Sequence, residues 1–539
     1  MTAPADVSLS RTAAGSEVPS VQDRALPRWR TDDPLVGWVL ALAITGLAFF
    51  LRWWKLGTPH QFSFDETYYA KDAWSMLEHG YVRTYVEDAD KSILNGAPTG
   101  IWQDAPSMVV HPEVGKWLIA LGEKAFGMEP FGWRIAAAVV GSLMVLLMCR
   151  FVRRVTGSTT LGLAGGLLLA LDGLQLVLSR LALLDIFLAF FILLGVHCVV
   201  ADRQWFRARL AKGAHLVFFR PWLLGAGVAF GLAVGTKWTA LFPLAAFGLL
   251  LTAWNYGARR SHRHRLDVVK ALVVDGPVAF ASLVLVAFVV YVASWTGWLQ
   301  HAGEYEQALS NTQYTTHDGG EPWATASEPD KEGFGEVTQS LRSLWDYHQD
   351  VYAFHSHFLN DSDHVYASKP GGWLLMNRPV GVDAQLDIQP GTQGCDAPDG
   401  STCLRQVLLL GNPLIWWGGS LALVFALVRW VGARDWRFGV AVVGVASTWL
   451  PWLLYDDRPI FVFYAIACLP FVVLALTLAL GSLVGSSNVP SSRRTAGVVV
   501  AGSYFVLCVL AFAWFWPVWT DQLITHDEWL RRIWFTRWI

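Results

Sequence analysis

Charge is scarce in this chain. Of 539 residues only 16% are Asp, Glu, Lys or Arg, where a soluble protein of this size carries roughly 25%. The 41 Lys and Arg against 43 Asp and Glu leave a formal net charge of −2, so no basic surplus points to nucleic acid. The six cysteines show no spacing of a metal site. A P-loop, a dinucleotide fingerprint and a serine-hydrolase elbow are all missing, which removes the common nucleotide-binding and hydrolase classes. No internal repeat is apparent, which counts against a transporter built from inverted halves. The first 33 residues have no apolar core and are too polar for a cleavable signal peptide. They are expected to form a disordered cytoplasmic tail, with the first apolar run acting as an uncleaved anchor.

Apolar sequence is abundant instead: 54% of residues, gathered in long runs. Backbone in lipid must satisfy its own hydrogen bonds, which helices do. The expected fold class is therefore an all-α polytopic membrane protein. Eleven runs approach the ~20 residues a bilayer needs: 35–54, 133–150, 160–177, 182–201, 221–236, 238–256, 270–294, 408–429, 437–455, 459–484 and 496–516. Many of the 29 Trp cluster at run ends (Trp53, Trp54, Trp416, Trp417, Trp514, Trp516), as indole does at membrane interfaces. The segments are then a tail (1–33), helices one to seven (34–294) including a loop 55–132, a second large loop 295–407, helices eight to eleven (408–516) and a tail 517–539.

Lys and Arg set the expected orientation. Arg24, Arg28 and Arg30 precede the first run, and basic clusters follow every even one: Arg150, Arg153 and Arg154; Arg203, Arg207 and Arg209; Arg259, Arg260, Arg263 and Arg265; Arg429, Arg434 and Arg437; Arg493 and Arg494. This parity puts the N-terminus in the cytoplasm, and loops 55–132 and 295–407 with the tail 517–539 outside, at a plasma membrane. Cys395 and Cys403 share the second outer loop, where an oxidising compartment allows a disulfide.

Few ionisable residues remain to carry chemistry, and they collect at the outer ends of the runs. Asp65-Glu66 lies in Phe64-Asp65-Glu66-Thr67-Tyr68-Tyr69, about a dozen residues past the first run. One carboxylate suits a general base for a hydroxyl, which needs hydrogen-bond reach and a matched pKa; the structural alternative is a solvated helix N-terminus. His111-Pro112-Glu113-Val114-Gly115-Lys116 leads through an amphipathic stretch to Gly132-Trp133-Arg134. Arg134 reads either as a snorkelling cation or as a contact to a lipid-linked phosphate. Arg180 and Asp185, in a short outer hairpin, are either an ion pair or functional. Lys237 and Arg458 stand at outer turns against the basic-inside trend. Such cations can neutralise a phosphate leaving group. His348, His355, His357 and His364 match no firm zinc pattern and read as loop residues.

Together these segments resemble the protein O-mannosyltransferases of the GT-C superfamily. Phe64-Asp65-Glu66-Thr67-Tyr68-Tyr69 is similar to the family's acidic dyad. His111 to Lys116 is similar to its His-Pro-Pro-x-Gly-Lys segment, with Glu113 in place of the second proline. Phe131-Gly132-Trp133-Arg134, Arg180 to Asp185 and Val234 to Leu241 match further segments, and the composition suggests the actinobacterial branch. The second outer loop lacks room for the β-trefoil insert of eukaryotic relatives.

The resemblance implies a GT-C bundle and inverting transfer of mannose from polyprenyl-phosphate mannose to Ser/Thr hydroxyls of exported proteins. Asp65 is the implied base, with Glu66 orienting it or the acceptor. Arg134, Lys237 and Arg458 are the implied phosphate contacts. Arg180 and Asp185 support them, and His111 and Lys116 belong to the donor site. No cofactor or metal is called for. Implied partners are the lipid-linked donor, exported acceptor proteins, membrane lipids and the protein translocon. Rival readings are a GT-C enzyme with a glycolipid or glycan acceptor, a membrane transporter, or a scaffold.

Overall fold

A computed structural model describes residues 34–262, 266–360, 362–455, 457–485 and 491–539. The tail 1–33, and Arg263 and Arg265 of the basic run, lie outside the described residues. Among the described residues, eight helices are long and apolar enough to cross a membrane: Leu35–Trp53, Pro130–Thr156, Asp185–Ala211, Trp238–Ser261, Asp267–Ser294, Pro413–Ala433, Trp436–Leu454 and Ser492–Trp519. Three shorter apolar helices, Thr159–Ala170, Pro221–Val234 and Leu469–Val484, complete a set of eleven that coincides with the eleven runs. The chain is a multi-pass membrane protein.

The short members are short for local reasons. The third run ends early because the Asp172 carboxylate accepts from Gln175 N at 3.0 Å and so caps a new helix, Gly173–Leu178. The tenth is 3-10 over Val462–Ala467 before the α-helix begins at Leu469. Asp172 does more than cap. Its other oxygen accepts from Asn412 N and Trp416 Nε1, both at 2.9 Å. Asn412 Nδ2 donates in turn to Leu171 O and Cys508 O. One buried carboxylate thus ties the N-terminal half of the bundle to the eighth and eleventh apolar helices.

The connectors hold structure that the apolar pattern did not reveal. Between the first two spans lie helices Glu66–His79 and Val114–Phe126 and a hairpin of β1 (Arg83–Tyr85) and β2 (Trp102–Pro106). Gly122 and Gly132 let Val114–Phe126 press on the second apolar helix: a Cβ at Gly122 would meet Gly132 O at 2.4 Å. The long connector after the seventh helix carries Phe334–Ala353, then β3 (Val380–Ile388) and β4 (Cys403–Leu409). These strands pair antiparallel, and β5 (Ile524–Thr525) from the last segment adds to β4 through Cys403↔Thr525. Cys395 and Cys403 are disulfide-bonded beside this edge, Cα to Cα 5.7 Å.

The two connectors meet at one end of the bundle. Tyr347 hydroxyl exchanges hydrogen bonds with Val109 N (2.7 Å) and Val109 O (2.8 Å), and Gln61 bonds Asp383. Trp295, Trp298, Tyr305, Trp323 and Tyr347 pack into a separate aromatic core beneath them. Arg203, Arg220 and Arg259 lie at the other end. Arg220 pairs with Asp202, and Arg259 is bidentate on Asp275 at 2.6 and 2.7 Å. Asp185 and Arg203 of one helix are about 27 Å apart by helical rise.

Asp172→Ala would orphan three buried donors, each worth about 1–3 kcal/mol. Thermal unfolding in detergent is expected to show a loss of about 3 kcal/mol, with Asp172→Asn losing less. An unchanged midpoint would remove Asp172 as the tie between halves.

Candidate active site

Phe64 adopts φ 55° and turns the chain into helix Glu66–His79, leaving Asp65 at its N-cap and Glu66 as its first residue. Neighbouring helical residues project about 100° apart, so the two carboxylates part company. Glu66 turns inward and is fully buried. Its Oε1 accepts from Arg134 Nε (2.8 Å) and Ala182 N (2.9 Å), and its Oε2 from an Arg134 terminal nitrogen (2.7 Å) and Ser63 N (2.9 Å). Arg134 spends its other N–H groups on the carbonyls of Leu56, Pro59 and Gln61. Every donor of the guanidinium is taken and the side chain is buried. This corrects the expected phosphate contact: Arg134 has no N–H left for a ligand. Both Glu66 oxygens are occupied too, so its bonds hold the loop in place.

Asp65 is half-buried at the rim of the bundle end, near Lys237 and Asp185. Its Oδ2 accepts from Tyr69 hydroxyl at 3.4 Å. Burial pushes its pKa from 3.8 up to about 6; Lys237 and the Tyr69 bond oppose that shift, while Asp185 adds to it. A carboxyl tuned to about 6 is ionised at neutral pH yet basic enough to take a hydroxyl proton. Phe64, Phe461, Phe463 and His364 close edge-to-face beside it, ring centroids 4.9–5.8 Å apart.

Two cations share this rim. Lys237 donates to Asp185 Oδ2 at 2.8 Å and sits 5.0 Å from the Tyr464 ring. An ammonium has three donors, so this pairing leaves others. Arg458 bonds His355 Nδ1 at 2.8 Å. His355 Nε2 lies 3.0 Å from Val110 O and must donate to it, so its Nδ1 is the acceptor and the imidazole is neutral. Burial, with Arg458 next to it, holds His355 down at about 4. His111 stacks on His355 at 5.4 Å and is pushed well below the usual histidine range, first by burial and then by Lys237. His348, seven residues before His355, stacks on Trp238 at 5.4 Å and bonds Tyr291.

The remaining expected residues are structural. Lys116 pairs with Asp72 at 2.9 Å, almost fully buried, and locks helix Val114–Phe126 to Glu66–His79. Arg180 donates to the carbonyls of Arg52, Trp54 and Lys55 at 2.6–3.1 Å and so caps the first apolar helix. Arg180 and Asp185 do not pair; Asp185 belongs to Lys237. Residues that sequence reasoning missed are His348, His355, Tyr69 and Tyr464. The spacing His348/His355, two turns of one helix, was the available signal.

Arg134→Ala would leave Glu66 buried without its partner, a change that costs about 3–5 kcal/mol. Thermal unfolding is expected to show that loss for Arg134→Ala and a much smaller one for Arg458→Ala, whose partner is a neutral ring. Equal losses would make Arg458 as structural as Arg134.

Residues 42–296 match a family model described as dolichyl-phosphate-mannose-protein mannosyltransferase. Residues 340–538 match the C-terminal four TMM region of protein-O-mannosyltransferase. A polyprenol-phosphate-mannose--protein mannosyltransferase of Mycobacterium tuberculosis is 34% identical over 525 residues, 94% of this chain and 92% of that protein. Its namesake from Corynebacterium glutamicum is 32% identical over 495 residues, 89% and 88% of the two chains. The S. cerevisiae protein O-mannosyltransferase Pmt1-Pmt2 complex bound to the sugar donor shares the fold, with TM-score 0.68 at 15% identity over 94% of this chain and 93% of that one. On the length and identity of these matches, the chain belongs to the dolichyl-phosphate-mannose-protein mannosyltransferase family.

Proposed function

We propose that this protein transfers mannose from a polyprenyl-phosphate mannose to Ser/Thr hydroxyls of exported proteins, with inversion at the anomeric carbon. The observation that carries the reading is Asp65, a carboxyl tuned to about 6 and standing beside the Lys237–Asp185 pair. Family membership and the names of the bacterial relatives supply the sugar and the acceptor class.

In this reading Asp65 takes the acceptor hydroxyl proton. The freed oxygen attacks the anomeric carbon from the face opposite the phosphate. The bond from that carbon to the phosphate oxygen breaks, and its electron pair leaves with the polyprenyl phosphate. The new charge needs cations that act as it develops. Lys237 and Arg458 serve here, because each keeps donors beyond its one protein contact. Arg134 is excluded by its filled donor set, and Arg180 supports the site by holding the carbonyls that end the first apolar helix. Glu66 and Arg134 keep Asp65 in register. His111 and His355 stay neutral, so they add no competing cation and their stacked rings line the site.

The same reading orients the molecule. Arg203, Arg220 and Arg259 at the end away from Asp65 mark the cytoplasmic side, and Asp65 opens outward. The N-terminal tail is then cytoplasmic and the segment after Trp519 is extracytoplasmic, in a plasma membrane. Exported acceptors would arrive there as they leave the translocon.

Labelled polyprenyl-phosphate mannose and a Ser/Thr-rich peptide test the proposal. Asp65→Asn keeps shape and removes the base, and is expected to lower transfer by roughly 10²–10⁴-fold. Near-normal turnover would dismiss Asp65 from the role, and transfer to a glycolipid but no peptide would dismiss the acceptor assignment. The ionised form is the active one. The wild-type rate is therefore expected to be flat above a pH of about 6 and to fall about tenfold per pH unit below it. A rate that holds level to pH 4.5 would rule out the raised carboxyl.

A further inference from the structure

The connector after the seventh apolar helix holds ligating side chains that the proposed reaction does not use. His317 and Asp318 sit in a 3-10 turn, His317–Gly319. His357 sits in the π-turn Phe354–Phe358 at the end of helix Phe334–Ala353. One ligand atom from each of the three lies within 4.8 Å of the other two. His317 Nε2 is 3.5 Å from the Asp318 carboxylate, and the two imidazole centroids are 4.3 Å apart. On a tetrahedral zinc with bonds of about 2.0–2.1 Å, ligand atoms stand about 3.4 Å apart. His317 and Asp318 already have that separation. His357 is exposed, so its ring can turn in by the remaining ångström.

Two observations separate this group from a chance cluster of loop side chains. His317 Nε2 is shielded from solvent and has no hydrogen-bond partner among the described residues. Such an atom costs free energy unless something else meets it. The second concerns His357. Ser356 hydroxyl donates its one proton to Tyr352 O at 2.7 Å. Towards His357 Nδ1, 2.8 Å away, the same oxygen can only accept. Nδ1 therefore carries the ring proton, and Nε2 is left with a bare lone pair. A hydrogen bond that fixes the far nitrogen in this way is what orients a metal-bound imidazole. Phe358 lies 5.1 Å from the His317 ring and is backed edge-on by Tyr314 at 4.8 Å, so the pair shields one side of the group.

We propose that His317, Asp318 and His357 bind a divalent transition ion of the zinc class, with a fourth position open to water. Two imidazoles and one carboxylate suit such an ion, whereas magnesium and calcium prefer all-oxygen sets. The ion ties the turn at 317–319 to the π-turn 354–358. That π-turn also carries His355, the residue bonded to Arg458. The site is structural: it stiffens the strap that presents His355 to the rim, and takes no part in bond making.

The test is metal binding by the full-length chain in detergent, stripped with chelator and dialysed against micromolar zinc, then counted by mass spectrometry. One zinc per chain is expected for wild type, and none above background for His317→Ala/His357→Ala. Ser356→Ala is expected to bind roughly 10–100-fold more weakly, the usual worth of an outer-shell partner. Magnesium and calcium are expected not to compete. Equal zinc in wild type and double variant, no zinc in wild type, or unchanged affinity in Ser356→Ala would overturn the assignment. Binding is read without any sugar transfer, so this proposal and the proposed reaction fail or stand separately.

Discussion

The buried pair of Glu66 and Arg134 is the constraint on which the face carrying Asp65 depends. Two carboxylate oxygens and one guanidinium exchange bonds with each other and with backbone from Leu56 to Ser63 and at Ala182. A charge pair taken from water is costly unless every remaining donor and acceptor is filled. Here both sides are filled. The loop that leaves the first apolar helix therefore has one conformation, and Asp65 inherits its position from that arrangement.

The fate of two adjacent acidic residues follows from a single turn of backbone. Asp65 remains at the N-cap, half-exposed, where partial burial raises its proton affinity. Glu66, one residue on, points into the protein, where four donors fill its two oxygens. A similar separation runs through the cations. Arg134 has spent every donor on structure; Lys237 and Arg458 have not. In this family of side chains, spare hydrogen-bonding capacity distinguishes a ligand-facing charge from a girder better than charge or depth does.

Much of this was legible in the sequence. Hydrophobic runs located all eleven apolar helices because lipid demands length and apolarity, and little else competes. The acidic dyad, the Lys237 turn and Arg458 were legible because ionisable groups are rare in such a chain. The strands were not. β1 to β5 are short, lie in polar connectors and pair across long separations, so no local period marks them. The role of Arg134 was misjudged for a related reason. A lone cation at a helix mouth looks the same in sequence whether its partner is a lipid phosphate or Glu66, 68 residues away. His348 and His355 were set aside as solvated because their connector is polar overall, although their spacing already put them on one face of helix Phe334–Ala353 and the π-turn that continues it.

The pairing of β4 with β5 has a bearing on biogenesis. β5 follows the eleventh apolar helix, and Trp538 beyond it is buried with its indole nitrogen on Met376 O at 2.9 Å. The sheet over the long connector is closed only by polypeptide that follows the eleventh apolar helix. A folding intermediate in which that helix has not yet packed keeps an open strand edge at Cys403 and Leu404. Closure of the layer over the bundle end thereby waits on the packing of the eleventh apolar helix.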